Sequence, residues 1–142
     1  MTDIDSFKTR TRANDGIRIN LFHPGGAPSE HWIQVRSVWS DDYQEARMEL
    51  IRQAVEDGRR AANAEGDEAI EIRREAERKR RAVAAASLVA GWSFDIEFTR
   101  EAVIDFLLEA PQILSHVERI AEDDRRFFGK ELVNSQTGES QS

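Results

Sequence analysis

Three consecutive pieces decide the fold: Ile17-Arg18-Ile19-Asn20-Leu21-Phe22, then His23-Pro24-Gly25-Gly26-Ala27-Pro28, then Trp32-Ile33-Gln34-Val35-Arg36-Ser37-Val38. The first has a period of two. Ile17, Ile19 and Leu21 point one way, while Arg18, Asn20 and Phe22 point the other. The second piece cannot continue a central strand, because proline removes a backbone donor and glycine loosens the chain. Alternation resumes in the third. Two β-type runs around a Gly/Pro turn predict an antiparallel hairpin over 17–38. A lone hairpin is marginal in water, so it must pack on helices or pair with another chain.

On its N-terminal side, residues 1–15 are polar and carry only Ile4 and Phe7 as sizeable apolar groups, which predicts a loose, flexible arm. On its C-terminal side the period becomes helical. Ser40-Asp41-Asp42 offers capping oxygens and negative charge for a first turn. A helix over about 41–64 follows, with Tyr43, Ala46, Leu50 and Ala54 on one face and Ile51 and Val55 widening the stripe. Gly66-Asp67 reads as a stop and a new start. A second helix spans about 68–90, with Ile72, Ala76 and Val83 in its stripe and small residues near its end. One unbroken helix would carry Gly58 and Gly66, each costing about 1 kcal/mol relative to alanine. A helical hairpin is therefore expected.

Gly91-Trp92 closes that helix, and Ser93 to Phe98 reads as a short extended link. Thr99 caps a third helix over about 100–110, which buries Val103, Phe106, Leu107 and Ala110. Pro111 opens a fourth over about 111–128, with Ile113, Leu114, Val117, Ile120 and Ala121 buried. Residues 129–142 form a polar tail expected to be disordered. The expected fold class is mainly α with a small N-terminal β-hairpin (α+β). It amounts to a bundle of about four helices in a single domain over 16–128.

The chain has 142 residues, 33% of them charged, and a formal net charge of −7. That balance gives no general attraction to nucleic acid. Cysteine is absent, which excludes a disulfide framework, a thiolate metal site and a cysteine nucleophile. The opening residues lack an apolar run, so no secretory signal is expected. No stretch approaches the roughly 20 apolar residues that span a bilayer. A soluble cytoplasmic protein is expected, with no membrane partner.

No motif of catalytic chemistry is present, so no catalytic, cofactor or metal residue is assigned and the chain is not expected to be an enzyme. His23 and His31 flank the turn without a third ligand, and His116 sits at a helix position bordering the core. Asp95 with Glu97, and Asp123 with Asp124, are carboxylate pairs of the kind that arise freely among 27 acids. The run Arg73-Arg74-Glu75-Ala76-Glu77-Arg78-Lys79-Arg80-Arg81 places Arg74, Arg78 and Arg81 on one helix face. It is either a solvated face part-neutralised by Glu71, Glu75 and Glu77, or a grip on an acidic protein helix or nucleic acid. Phe22, Trp32 and Trp39 gather near the hairpin, and Trp92, Phe94 and Phe98 near the later link. They either pack together as core or leave an apolar groove for a partner.

The order of these elements resembles the tail assembly chaperones of long-tailed bacteriophages. The resemblance runs over roughly 17–128. It rests on Leu21-Phe22-His23-Pro24-Gly25-Gly26-Ala27-Pro28 followed by Trp32-Ile33 and Val35, and on Ser40 to Tyr43 opening a charged helix. Gly91-Trp92, Phe98-Thr99-Arg100-Glu101-Ala102, Leu107-Leu108, Pro111, Val117 and Phe127-Phe128 complete it. The short link from Trp92 to Phe98 departs from the longer, glycine-bearing turn of the family.

The resemblance implies a non-enzymatic assembly factor of the infected host's cytoplasm, absent from the mature virion. Such a factor binds and solubilises the tape-measure protein and helps recruit tail-tube protein, in some members through a longer frameshifted form. Partner contacts are then expected at Phe22, Trp32, Ile33, Val35, Phe127 and Phe128, with weak homo-oligomers formed through the hairpin edge. The alternatives are a structural tail or head-completion protein of the virion, and a small DNA-binding regulator using Arg73–Arg81.

Overall fold

The hairpin forms where the alternation places it. In the computed structural model, which describes residues 3–135, β1 (Ile17–Phe22) pairs antiparallel with β2 (Pro28–Val35). Ile17 lies opposite Val35 and Ile19 opposite Ile33, so the apolar positions share a face. The turn between them is closed by His23 N–H donating to the Ala27 carbonyl and Gly26 N–H to the His23 carbonyl, each at 2.8 Å. Pro28 takes the first position of β2, where a missing donor is tolerated.

The pairing stops at Val35, short of the expected Val38. Ser37 N–H instead donates to the Ala13 carbonyl (3.2 Å) and Val38 N–H to the Ala121 carbonyl (3.0 Å). Tertiary bonds thus replace a ladder.

The chain before β1 is not the loose arm expected of residues 1–15. Its described part is a 3-10 turn over Asp3–Phe7 followed by α1 (Arg10–Asp15). Ala13 is fully buried, and Arg10 makes a two-pronged ion pair with Asp41, with contacts near 2.9 Å. Gly16 joins α1 to β1 at φ 76°, and a methyl group there would overlap the Val35 carbonyl. A single alanine and a few polar bonds hold this segment, which is why no apolar stripe announced it.

α2 (Asp41–Ala62) and α3 (Asp67–Ala86) form the predicted helical hairpin. The cap of α2 differs from the expectation. Ser40 occupies the N-cap position but its hydroxyl makes no capping bond, and Asn14 Oδ1 from α1 accepts from Asp41 N–H at 2.7 Å.

α3 ends at Ala86, before the expected residue 90, because Val89–Trp92 forms β3 and adds to β2 antiparallel. The sheet therefore has three strands in the order β1-β2-β3. Arg36 makes this junction: its N–H donates to the Leu88 carbonyl at 2.6 Å, and its guanidinium to the carbonyls of Ser87 and Val89. A cation is well placed at a helix C-terminus.

α4 (Arg100–Glu109) is capped as predicted, Ala102 N–H donating to Thr99 Oγ1 at 3.1 Å. The expected fourth helix over 111–128 is two helices. α5 (Pro111–Ala121) ends before Glu122-Asp123, and α6 runs from Asp124 to Ser135, through Gly129. The start of the expected tail is thus helical, and residues 136–142 lie outside the described residues.

The architecture is mainly α with a small antiparallel sheet. One core joins the inner face of the sheet (Leu21, Ile33, Val35) to Ala82, Ala85 and Ala86 of α3. Val103, Leu107, Leu114, Val117 and Phe127 complete it from α4, α5 and α6. The alanines let α3 lie close to its neighbouring helices, α2 and α4.

Candidate interaction surface

Side chains along a strand alternate between faces, and this divides the residues expected to bind a partner. Ile33 and Val35 point inward and are 1% and 0% exposed. Trp32 lies on the outer face, opposite Asn20, with the Arg18 guanidinium 3.7 Å from its ring centre. Phe127 belongs to the core, and Phe128 is half-buried beneath Arg12 of α1 at 5.4 Å. Only Phe22 stands well out, at 58%. Phe22, Trp32, Ile33, Val35, Phe127 and Phe128 therefore do not form one surface, and Ile33, Val35 and Phe127 cannot touch a partner of the folded chain.

The aromatic groups divide as well. Trp92 meets Phe94, Phe98 and Phe106 edge-on, at 5.3, 5.4 and 5.9 Å between ring centres, and packs on the core. His31 tilts over Phe94 at 4.7 Å, and its Nδ1 lies 3.1 Å from Ser93 Oγ. Trp39 is separate and donates its indole N–H to Asp124 at 2.9 Å.

The exposed apolar surface lies elsewhere. On α2, Met48, Ile51 and Val55 are 68%, 55% and 58% exposed. Their spacing of three and then four puts them on one stripe, and Ile51 at its edge borders a shallow depression shared with Glu77, Arg80 and Arg81 of α3. Ile51 and Val55 were expected to widen a buried stripe, and Met48 carried no assignment. Ala61 is the one residue of α2 that is fully buried.

The two helices of the hairpin are instead tied by a partly buried ion pair between Asp57 and Arg80. Around them, acid-before-base pairs at three-residue spacing keep the surface solvated: Glu49–Arg52 and Glu56–Arg59 at 2.9 Å, and Glu71–Arg74 at 3.5 Å. Each such exposed pair is worth only a few tenths of a kcal/mol.

Among the described residues no group of three His, Asp or Glu side chains is placed to hold a metal ion. Asp123 pairs with Arg126 at 3.5 Å while Asp124 accepts from Trp39, so these neighbours face different partners. His116 is half-buried, and desolvation, followed by Arg119 and Arg126, lowers its pKa. Asp41 is lowered by hydrogen bonds from Arg10 and Asn14. The basic strip is also divided, since Arg80 turns to Asp57 of α2 and Arg81 to Glu118 and Ser115 of α5.

Comparison of the chain with protein-family models, with curated proteins and with solved structures returned no match.

Proposed function

We propose that this protein is a tail assembly chaperone of a long-tailed bacteriophage, and that α2 is the element that receives its partner. The observation that carries the reading is the stripe Met48, Ile51 and Val55, open to solvent on a helix otherwise saturated with charge. An apolar stripe of this width fits the stripe of another helix. Covering the exposed parts of these side chains is worth roughly 3 kcal/mol before the costs of association.

A long tape-measure chain offers many such helical stripes. Weak contacts repeated along one partner give avidity without tight binding at any one site. The charged surroundings keep the chaperone soluble while the stripe waits. In this reading the protein works in the host cytoplasm, helps bring tail-tube protein to the same partner and is left out of the finished particle. The resemblance over 17–128 supplies the identity of the partner, and the stripe supplies the means.

Co-expression with the tape-measure protein of the same phage tests this. The intact chain is expected to bring the tape-measure protein into the soluble fraction and to co-purify with it. Ile51→Asp with Val55→Asp is expected to abolish both effects while leaving the thermal unfolding of the chain unchanged. A tape-measure protein that stays insoluble beside the intact chain overturns the reading.

A further inference from the structure

The arginines of α3 gain a role that the chaperone reading does not use. Between α3 and the corner where α4 meets α5 lies a groove of about 440 Å³. Its floor is apolar: Leu107 and Leu114 belong to the core, and Leu108 and Pro111 continue it outward. Pro111 opens α5 directly after α4 ends, so the floor is built at the junction of the two helices. Ile70, 54% exposed, stands at the mouth.

The α3 wall carries Arg74, Arg78 and Arg81, one helical turn apart in succession, against a single lining acid, Glu77. Arg81 is committed to Glu118. Arg74 and Arg78 are not committed to the same degree. Their nearest carboxylates, Glu71 and Glu75, stand at 3.5 and 3.8 Å, too far for a good hydrogen bond and exposed to water, and Arg78 also donates to the Leu108 carbonyl across the groove at 3.3 Å. The Arg74 guanidinium, and the donors of Arg78 not given to Leu108, thus remain beside an apolar floor.

We infer that this groove is a second docking site, taking a short amphipathic helix that carries carboxylates beside its apolar anchors. The apolar side chains of such a helix cover Leu108, Pro111 and Ile70, and its carboxylates meet Arg74 and Arg78. A lysine-rich helix would meet like charge at the same wall. A second copy of this chain is not selected, because its own exposed stripe on α2 is flanked by charges of both signs. Nucleic acid is disfavoured by the apolar floor and by the chain's net charge of −7. The floor of the site, built by α4 and α5, lies apart from the α2 stripe, although Glu77 and Arg81 also border the depression beside Ile51.

Two synthetic probes test it against the full chain by fluorescence anisotropy. Both are helices about four turns long with leucines on one stripe. One flanks the stripe with glutamates, the other with lysines. The glutamate probe is expected to bind, and the lysine probe to bind at least about tenfold more weakly. Arg74→Glu with Arg78→Glu, both at exposed positions, should reverse that preference, while thermal unfolding confirms that the variant folds. Ile70→Ser should weaken both probes alike.

Equal binding of the two probes, or a preference unmoved by the double reversal, overturns the inference. Wild-type dimers that the reversal disperses would assign the groove to a second copy and also overturn it. A DNA duplex that displaces the glutamate probe would do the same in favour of nucleic acid. Variants of Ile51 and Val55 leave this binding intact, so failure here and failure of the chaperone reading are told apart.

Discussion

The sheet with α4, α5 and α6 and the helical hairpin of α2 and α3 are held by different means. In the first, Ile33, Val35, Val103, Leu107 and Val117 are all but sealed from water. In the second, full burial falls on alanines, Ala82, Ala85 and Ala86 joining the core and Ala61, Ala69 and Ala76 lying beyond it; Leu50, Ile72 and Val83 are half-buried, and Met48, Ile51, Val55 and Ile70 stand outside. A methyl group contributes little hydrophobic free energy, so away from the end of α3 that joins the core the hairpin draws more on helix propensity and on the Asp57–Arg80 pair. Chemistry suited to a core is spent on one region and left exposed on the other. That division is what the proposed function draws on.

Matched truncations sharpen the contrast most. Ile33→Ala should cost about 2–5 kcal/mol in denaturant unfolding, through lost burial and the cavity left behind. Ile51→Ala, the same chemical change on α2, should stay within about 0.5 kcal/mol. Equal losses would break the distinction between the two regions.

A smaller effect acts on the hairpin alone. Gly58 sits inside α2 with open space where a side chain would go. Gly58→Ala should therefore stabilise the hairpin by about 1 kcal/mol, read as slower amide exchange in α2 with little change in the strands.

The smallest effects are set by pH. His116 titrates lower in the fold than its ordinary 6.5, so the unfolded chain takes up the proton first. Its contribution is intact above pH 6.5 and is lost as pH falls through 6.5 towards the folded value. His116→Asn should flatten the stability profile in that window. Asp41 is held below its ordinary 3.8, so the tie from α1 to the start of α2 persists above pH 3.8 and is lost as pH falls through its folded value. Acid titration should thus disturb α5 before α1.

The same contrast explains what was legible in the sequence. Alternation from Ile17 to Val35 made the hairpin legible, because a face-by-face pattern is local, whereas the start of β2 at Pro28 and the register shift between Asn20 and Phe22 were not. β3 was hidden: Val89–Trp92 follows an alanine-rich run without a turn signal, and its pairing depends on Arg36, which is distant in sequence. The break at Glu122-Asp123 was marked by adjacent acids, but whether a helix resumes depends on Phe127 reaching the core.

At the candidate surface, the alternation already separated Trp32 from Ile33 and Val35, so grouping the three together ignored a signal that was present. The spacing of Met48, Ile51 and Val55 was equally visible. Their exposure was not, because it follows from the side on which α3 packs, and that is a tertiary fact.

Amide hydrogen exchange of the chain alone and mixed with its proposed partner, the tape-measure protein of the same phage, tests the central claim most directly. The account predicts slowed exchange along α2 across residues 44–58, with β1 and β2 unchanged. Slowed exchange confined to the β1–β2 hairpin, or no change anywhere on mixing, would contradict it.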